Sequence, residues 1–273
     1  MSIRYLIAFI LFVFPAFIKA LDAPIEFVIV IPSYNNEKWC VKNLDSVCSQ
    51  TYPHWSIIYI NDCSQDKTKE LVTKYITEHK LEKKITLINR KERKGAMANY
   101  YKGCMLAPQR KIVATLDGDD WLAHPKVLVK LAKIYADKKV WATHGNYTSE
   151  PFTRESYCTA YPEKVQKTNS FRKARWMGCQ LRTFYAKLFH MIKKEDLMWQ
   201  GVFLPMTSDL AFMFPILEMA SKGHIYFVEE PIYIVNTANP ISDVRKNKEL
   251  QDKLNRHVRS LTPYKPLDAL FPY

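Results

Sequence analysis

Four apolar runs at similar intervals constrain the fold more than any other feature: residues 26–31 (EFVIVI), 55–60 (WSIIYI), 85–88 and 111–116. The runs are short and continuous rather than alternating, which is the pattern of parallel strands buried on both faces. Between them apolar residues recur at helical spacing. The first such segment carries Trp39, Cys40, Val41, Leu44, Val47 and Cys48, with Asn35 or Asn36 expected as its cap; the second carries Leu71, Val72, Tyr75 and Ile76; the third covers residues 96–105. Strands alternating with helices, joined by right-handed crossovers, predict an α/β fold with a mostly parallel, doubly wound (Rossmann-like) sheet.

The strands end in polar loops, residues 32–36, 61–66 and 117–120. In an open sheet such loops gather in one crevice at the strand C-termini, where a nucleotide is the usual ligand. The chain has neither the Gly-rich dinucleotide fingerprint nor a P-loop. A side-chain carboxylate is therefore expected to hold the base, and a metal the diphosphate. The last loop supplies that chemistry: Asp117, Asp119 and Asp120 place three carboxylates within four residues. Crowded carboxylates repel one another unless a cation lies between them. A hard divalent ion, Mg²⁺ or Mn²⁺, shared with substrate phosphates suits the site. The plainer reading is an acidic turn, since Asp and Gly are ordinary turn formers.

The second half is less regular. Helices are expected at residues 127–135, 182–192, 208–220 and 250–261, and short strands at 140–144, 225–228 and 232–235. Residues 151–180 are loop-rich and basic, and Asn146-Tyr147-Thr148 is a formal glycosylation sequon. No linker separates two domains. Residues 21–262 read as one domain in two halves, 21–122 and 123–262, followed by a tail, 263–273, with three prolines.

Residues 1–20 read as a targeting segment. Arg4 precedes an apolar run, residues 5–18, broken only by Pro15. The run is short for a bilayer span of about 20 residues, so a signal peptide is favoured over a short signal-anchor. Membrane or secretory-pathway association is expected, with the side of the membrane left open. The formal net charge of +13 attracts polyanions. No nucleic-acid-binding signature accompanies it, so no nucleic-acid partner is expected. Six cysteines include no C-x-x-C pair, which argues against structural zinc; their even number permits disulfides without implying them.

Four blocks, Val28 through Asn36, Ile60 through Asp66, Gly95-Ala96-Met97-Ala98-Asn99 and Leu116-Asp117-Gly118-Asp119-Asp120, resemble in order and spacing the family 2 glycosyltransferases of GT-A fold. In the second half Leu181-Arg182-Thr183-Phe184, Ser208-Asp209-Leu210-Ala211 and Tyr233 through Pro240 look like a subgroup of that family. The resemblance implies a GT-A fold with a mixed acceptor-side half. It also implies inverting, metal-assisted transfer of a sugar from a nucleotide-diphosphate sugar, with uridine the family-level expectation, to a glycan, lipid or protein acceptor. By the same resemblance Pro32, Ser33 and Tyr34 line the nucleoside pocket, and Asp62 bonds the base. Lys94, Gly95, Asn99, Asp117 and Gly118 approach the nucleotide-sugar. Asp117 and Asp119 form the metal motif, with Asp120 beside them.

Inversion by direct displacement needs a general base on the acceptor side. Asp209, opening an apolar helix, matches the family's base; its plain reading is a first-turn carboxylate favoured by the helix dipole. Glu218, Glu229 and Glu230 are weaker candidates. Trp121, Trp141 and Trp176 suit sugar stacking but read first as core, and His144 and His224 read as structural rather than metal ligands. Arg175-Trp176 lacks the Gln of the processive-synthase signature and precedes Asp209, which favours single-sugar transfer. A nucleotidyltransferase and a non-catalytic carbohydrate-binding protein are the competing classes.

Overall fold

The alternation in the first half is realised directly in the computed structural model, which describes residues 23–137, 139–151, 156–240 and 247–271. The N-terminal targeting segment lies outside the described residues. Strands β1 (Phe27–Ser33), β2 (Trp55–Asn61), β3 (Ile85–Asn89) and β4 (Ile112–Thr115) alternate with helices α1 (Cys40–Cys48), α2 (Thr68–Glu78) and α3 (Ala96–Leu106). All pair in parallel, in the order β3-β2-β1-β4. Side chains of β1 divide with period two. Val28 and Val30 pack with Met97, Tyr100 and Cys104 of α3 in one core; Phe27, Ile29 and Ile31 pack with Cys40, Leu44 and Val47 of α1 in the other. Neither asparagine caps α1, which begins at Cys40 with no side-chain cap. Their side chains are turned elsewhere: the Asn36 amide donates to Ser33 Oγ at 3.0 Å, and Asn35 Oδ1 accepts from the Gln65 backbone N–H at 2.8 Å.

The second half adds β5 (Trp121–Leu122), α4 (Val127–Tyr135), β6 (Ala142–Glu150), α5 (Glu163–Lys167), β7 (Arg182–Tyr185), α6 (Ala186–His190), a small hairpin of β8 (Met198–Trp199) and β9 (Val202–Phe203), α7 (Ser208–Met219), β10 (Ile225–Asn236) and α8 (Lys248–Ser260). The eight-stranded sheet runs β3-β2-β1-β4-β7-β6-β10-β5. Strand β7 is antiparallel to both neighbours and β5 to β10, which makes this half mixed.

The helix expected at residues 182–192 is instead a strand followed by one short helix. Leu181, Phe184, Tyr185 and Leu188 satisfy helical spacing, and short apolar runs fit either period. Tertiary context decides: β7 fills the position between β4 and β6 and satisfies backbone groups that would otherwise be buried without partners. Thr183 fixes the pairing, its hydroxyl within 2.6 Å of Thr143 Oγ1 and 2.9 Å of Tyr135 Oη. The two strands expected at 225–228 and 232–235 are one strand, β10, irregular around Pro231. The sequon residue Asn146 lies on β6, its amide donating to the Glu229 carbonyl.

Helix α7 is buried from Leu210 through Met219. It carries Glu218, which forms a two-pronged ion pair with Arg172 at 2.6 and 3.0 Å. Both side chains are nearly inaccessible. Glu218 also accepts from the Tyr264 backbone N–H, and Arg172 donates to the Val258 carbonyl of α8. The pair thus joins α7, α8 and the segment after α8, so Glu218 is structural rather than a base. The residues expected as a tail pack on the domain: Leu270 is buried and Leu267 N–H bonds the Met219 carbonyl. Among the described residues no helix is long and apolar enough to cross a membrane.

Candidate active site

Four loops meet at one end of the sheet because of the strand order. Strands β2, β1 and β4 end there at Asn61, Ser33 and Thr115, and antiparallel β7 begins there, with Arg182 opposite Thr115. The loops at 61–66, 32–36, 117–120 and 178–182 therefore stand in a row. They enclose a crevice of about 620 Å³. Pro32, Ser33, Tyr34, Asp62, Gly95, Asn99, Asp117, Gly118, Asp119 and Asp209, all singled out in the sequence, line it.

At one end Asp62 is buried, accepting from the backbone N–H groups of Lys94 and Gly95 at 2.9 and 2.8 Å. It locks the turn into α3, which Gly95 makes at φ 83°, a left-handed conformation suited to glycine. Lys94 meets Asp62 through its backbone N–H. Its side chain turns to Glu92 and is absent from the crevice lining; Arg93 lines the wall instead, its guanidinium 3.9 Å from the Tyr34 ring centre. Gly118 is needed for close approach. A Cβ there would stand 2.7 Å from the Ser33 side chain and 2.9 Å from Asn36 Nδ2.

The three aspartates divide their work. Asp120 is buried, accepting from Tyr233 Oη and Asn236 N at 2.7 Å each. Burial, then the charges of Asp119 and Asp117, pushes its carboxyl well above the usual range. It anchors the loop to β10. Asp117 and Asp119 are half-buried on the crevice. Tyr100 Oη donates to Asp117 at 2.6 Å, and Asn239 Nδ2 to Asp119 at 2.7 Å. Burial and the Asp117 charge hold the Tyr100 phenol protonated. Among the described residues no three His, Cys, Asp or Glu groups converge as a cage. Two hard carboxylates facing a ligand-sized crevice nonetheless fit an ion that completes its shell with phosphate oxygens and water.

At the other end, Asp209 sits in the first turn of α7. Thr207 precedes it with φ 59°, a left-handed conformation unfavourable for a β-branched residue. Arg182, 6% exposed, donates to Asp209 Oδ2 at 3.1 Å and to the Gly178 carbonyl at 2.8 Å. The Asp209 side chain is 32% exposed.

Elsewhere the earlier candidates separate. Trp176 lines the crevice. Trp121 lies beneath the Lys42 ammonium, and Trp141 stacks on His224. His144 is buried against Tyr161 and Phe227, and burial pushes it down to about 4, so it is a neutral core residue. Glu230 pairs with Lys130 and His124 outside the crevice.

Sequence reasoning assigned no role to Arg182, Tyr100, Tyr233, Asn236 or Asn239. The available signal was a polar group inside an apolar strand, as with Arg182 between Leu181 and Phe184. Cys158 and Cys179 form a disulfide, while Cys40, Cys48, Cys63 and Cys104 are free.

Residues 28–197 match the family model described as "Glycosyl transferase family 2". The chain is 34% identical over 92 residues to the putative teichuronic acid biosynthesis glycosyltransferase TuaG of Bacillus subtilis, a match covering 34% of this chain and only 35% of that one. It is 25% identical over 251 residues to the putative colanic acid biosynthesis glycosyl transferase WcaA of Escherichia coli, covering 86% of each chain. Its fold is similar to that of Staphylococcus aureus TarS, residues 1–349, solved in complex with UDP. That TM-score is 0.61 at 17% identity, over 78% of this chain and 61% of the other.

Proposed function

The chain belongs to glycosyl transferase family 2 and is a glycosyltransferase, and we propose that it transfers one sugar, with inversion, from a nucleoside-diphosphate sugar to an acceptor hydroxyl. The observation that carries this reading is one crevice holding Asp117 and Asp119 near its middle and Asp209 toward β7. The TarS complex supports UDP as the carrier. Pro32, Ser33 and Tyr34 would flank the nucleoside. Asp62 keeps lone pairs beyond the two amides it holds, enough to accept from a base N–H.

Asp117 and Asp119 would hold Mg²⁺ or Mn²⁺ against the diphosphate. When bound, the ion supplies positive charge that stabilises the leaving diphosphate. The protein's own step is proton removal. Asp209 takes the acceptor hydroxyl proton as the oxygen bonds to the anomeric carbon; the bond from that carbon to the diphosphate oxygen breaks, and its electron pair leaves with the nucleoside diphosphate. Arg182 holds the Asp209 carboxylate in one orientation, which a base needs before it can reach its proton.

Asp119→Ala tests the donor half. The variant is expected to lose the Mn²⁺-dependent part of its thermal shift with UDP-sugar while remaining folded. A metal titration identical to that of the unmodified protein would exclude Asp119 as a ligand.

For localisation, the apolar run at 5–18 and the Cys158–Cys179 bond both support passage into an oxidising compartment, where disulfides persist. A donor imported into that compartment would then be required. Protein recovered from its native membrane fraction and alkylated under denaturing conditions is expected to gain two further alkyl groups only after reduction. Six thiols alkylated without reductant would place the domain in a reducing compartment.

A further inference from the structure

Beyond Asp209 the crevice continues into a wall to which the sugar-transfer reading assigns no role. Tyr157, Trp176, Gln180, Met206, Gln251 and Asn255 form it. Its place is fixed by two linked contacts, because the Gly178 carbonyl next to Trp176 accepts from Arg182, which in turn holds Asp209. Trp176 has little freedom. A Cβ at position 178 would fall 2.6 Å from its ring, so the indole packs directly against Gly178, and its ring meets Phe214 edge-on at 5.2 Å. Tyr157 is 47% exposed. The buried Cys158–Cys179 bond ties the residue after Tyr157 to the residue after Gly178, so the two aromatic segments stay side by side. Gln251 and Asn255 are one turn apart on α8, hence on one face, while Leu254 and Val258 pack into the core.

The chemistry of this wall is selective. Flat rings favour an apolar face, and amides both donate to and accept from hydroxyls. A phosphate or carboxylate on the acceptor would call for a free guanidinium or ammonium. The six wall residues carry no charge, although the chain as a whole is at +13. Among the described residues, Arg182 bonds Asp209 and Arg259 bonds Asn255 Oδ1, leaving the Asn255 amide to donate, while Arg175 lies over the Tyr157 ring.

Resting on the sugar-transfer reading above, we propose that this wall is an acceptor subsite for a neutral pyranose ring. The acceptor is thus a glycan, with Trp176 as its platform and Gln251 and Asn255 reading its hydroxyls. Together these residues set acceptor specificity.

The test is saturation-transfer NMR on the full chain with UDP and diamagnetic Mg²⁺ present. The probes are p-nitrophenyl glucoside, galactoside and N-acetylglucosaminide in both anomers, cellobiose and maltose, with farnesyl phosphate and a Ser/Thr-rich peptide as the other classes. At least one pyranoside is expected to bind through its ring protons. Trp176→Ala should weaken that probe about tenfold, and Gln251→Ala, at a half-buried position on the crevice wall, should weaken it while a melting curve shows the fold retained. Binding of farnesyl phosphate or the peptide with no pyranoside bound would overturn the assignment, as would a pyranoside indifferent to both substitutions. A UDP thermal shift with no pyranoside bound would sink the subsite alone. Pyranoside binding lost in the variants, without any UDP shift, would uphold the subsite and refute UDP as the carrier.

Discussion

Asp209→Asn is expected to lower turnover by about 10²- to 10⁴-fold, while donor affinity, read as a thermal shift with UDP-sugar and Mn²⁺, stays nearly unchanged. The amide keeps the shape of the side chain and can still accept from Arg182, but it cannot take a proton at neutral pH. Donor groups and Asp209 sit at different points along the crevice: the nucleoside end is built on β1 and β2, and Asp209 on α7 beside β7. A change confined to the base therefore has no direct route to the nucleotide. If donor affinity fell as far as turnover, Asp209 would be a binding residue and the assignment of the base would be wrong. Arg182 makes a useful partner test. It bonds both Asp209 and the Gly178 carbonyl, away from the nucleoside end, so Arg182→Lys should lower turnover rather than donor affinity.

The largest expected loss of stability comes from Glu218→Ala. The Arg172–Glu218 pair is almost inaccessible, and burial raises the Glu218 carboxyl even with Arg172 beside it. Removing one partner strands a buried guanidinium, at a cost of about 3–5 kcal/mol. For a chain this long the melting temperature should fall by roughly 6 to 20 °C. Glu218 also holds the Tyr264 N–H, so the segment after α8 should become more sensitive to protease. A double replacement, Arg172→Met with Glu218→Leu, should recover much of the loss, since an apolar pair of similar volume avoids the unpaired charge. A fall of less than 2 °C for Glu218→Ala would show that the pair is not an effective tie between α7 and α8.

The donor half was legible because its signals are local. Each strand is a continuous apolar run, each loop that reaches the crevice follows one, and the parallel order follows from the handedness of the crossovers. The acceptor half was less legible because its elements depend on distant partners. Strand β7 is a strand because β4 and β6 flank it, a fact absent from residues 182–185 themselves. Asp120 reads like Asp117 and Asp119 in the sequence, yet Tyr233 and Asn236, more than a hundred residues away, turn it into an anchor. Lys94 and Arg93 are adjacent, and only the turn at Gly95 decides which side chain faces the crevice. The Cys158–Cys179 pairing was likewise open, since six cysteines allow several partners.

The measurement that tests the central proposal most directly is product analysis on purified residues 21–273, incubated with UDP-, GDP- and CMP-sugars, and separately with nucleoside triphosphates plus sugar 1-phosphates, each in Mn²⁺ and in chelator. Nucleoside diphosphate released from one donor, with release lost in chelator, is the result that sugar transfer from a nucleoside-diphosphate sugar predicts. Release of pyrophosphate from a nucleoside triphosphate and sugar phosphate, with no nucleoside diphosphate from any donor, would contradict it.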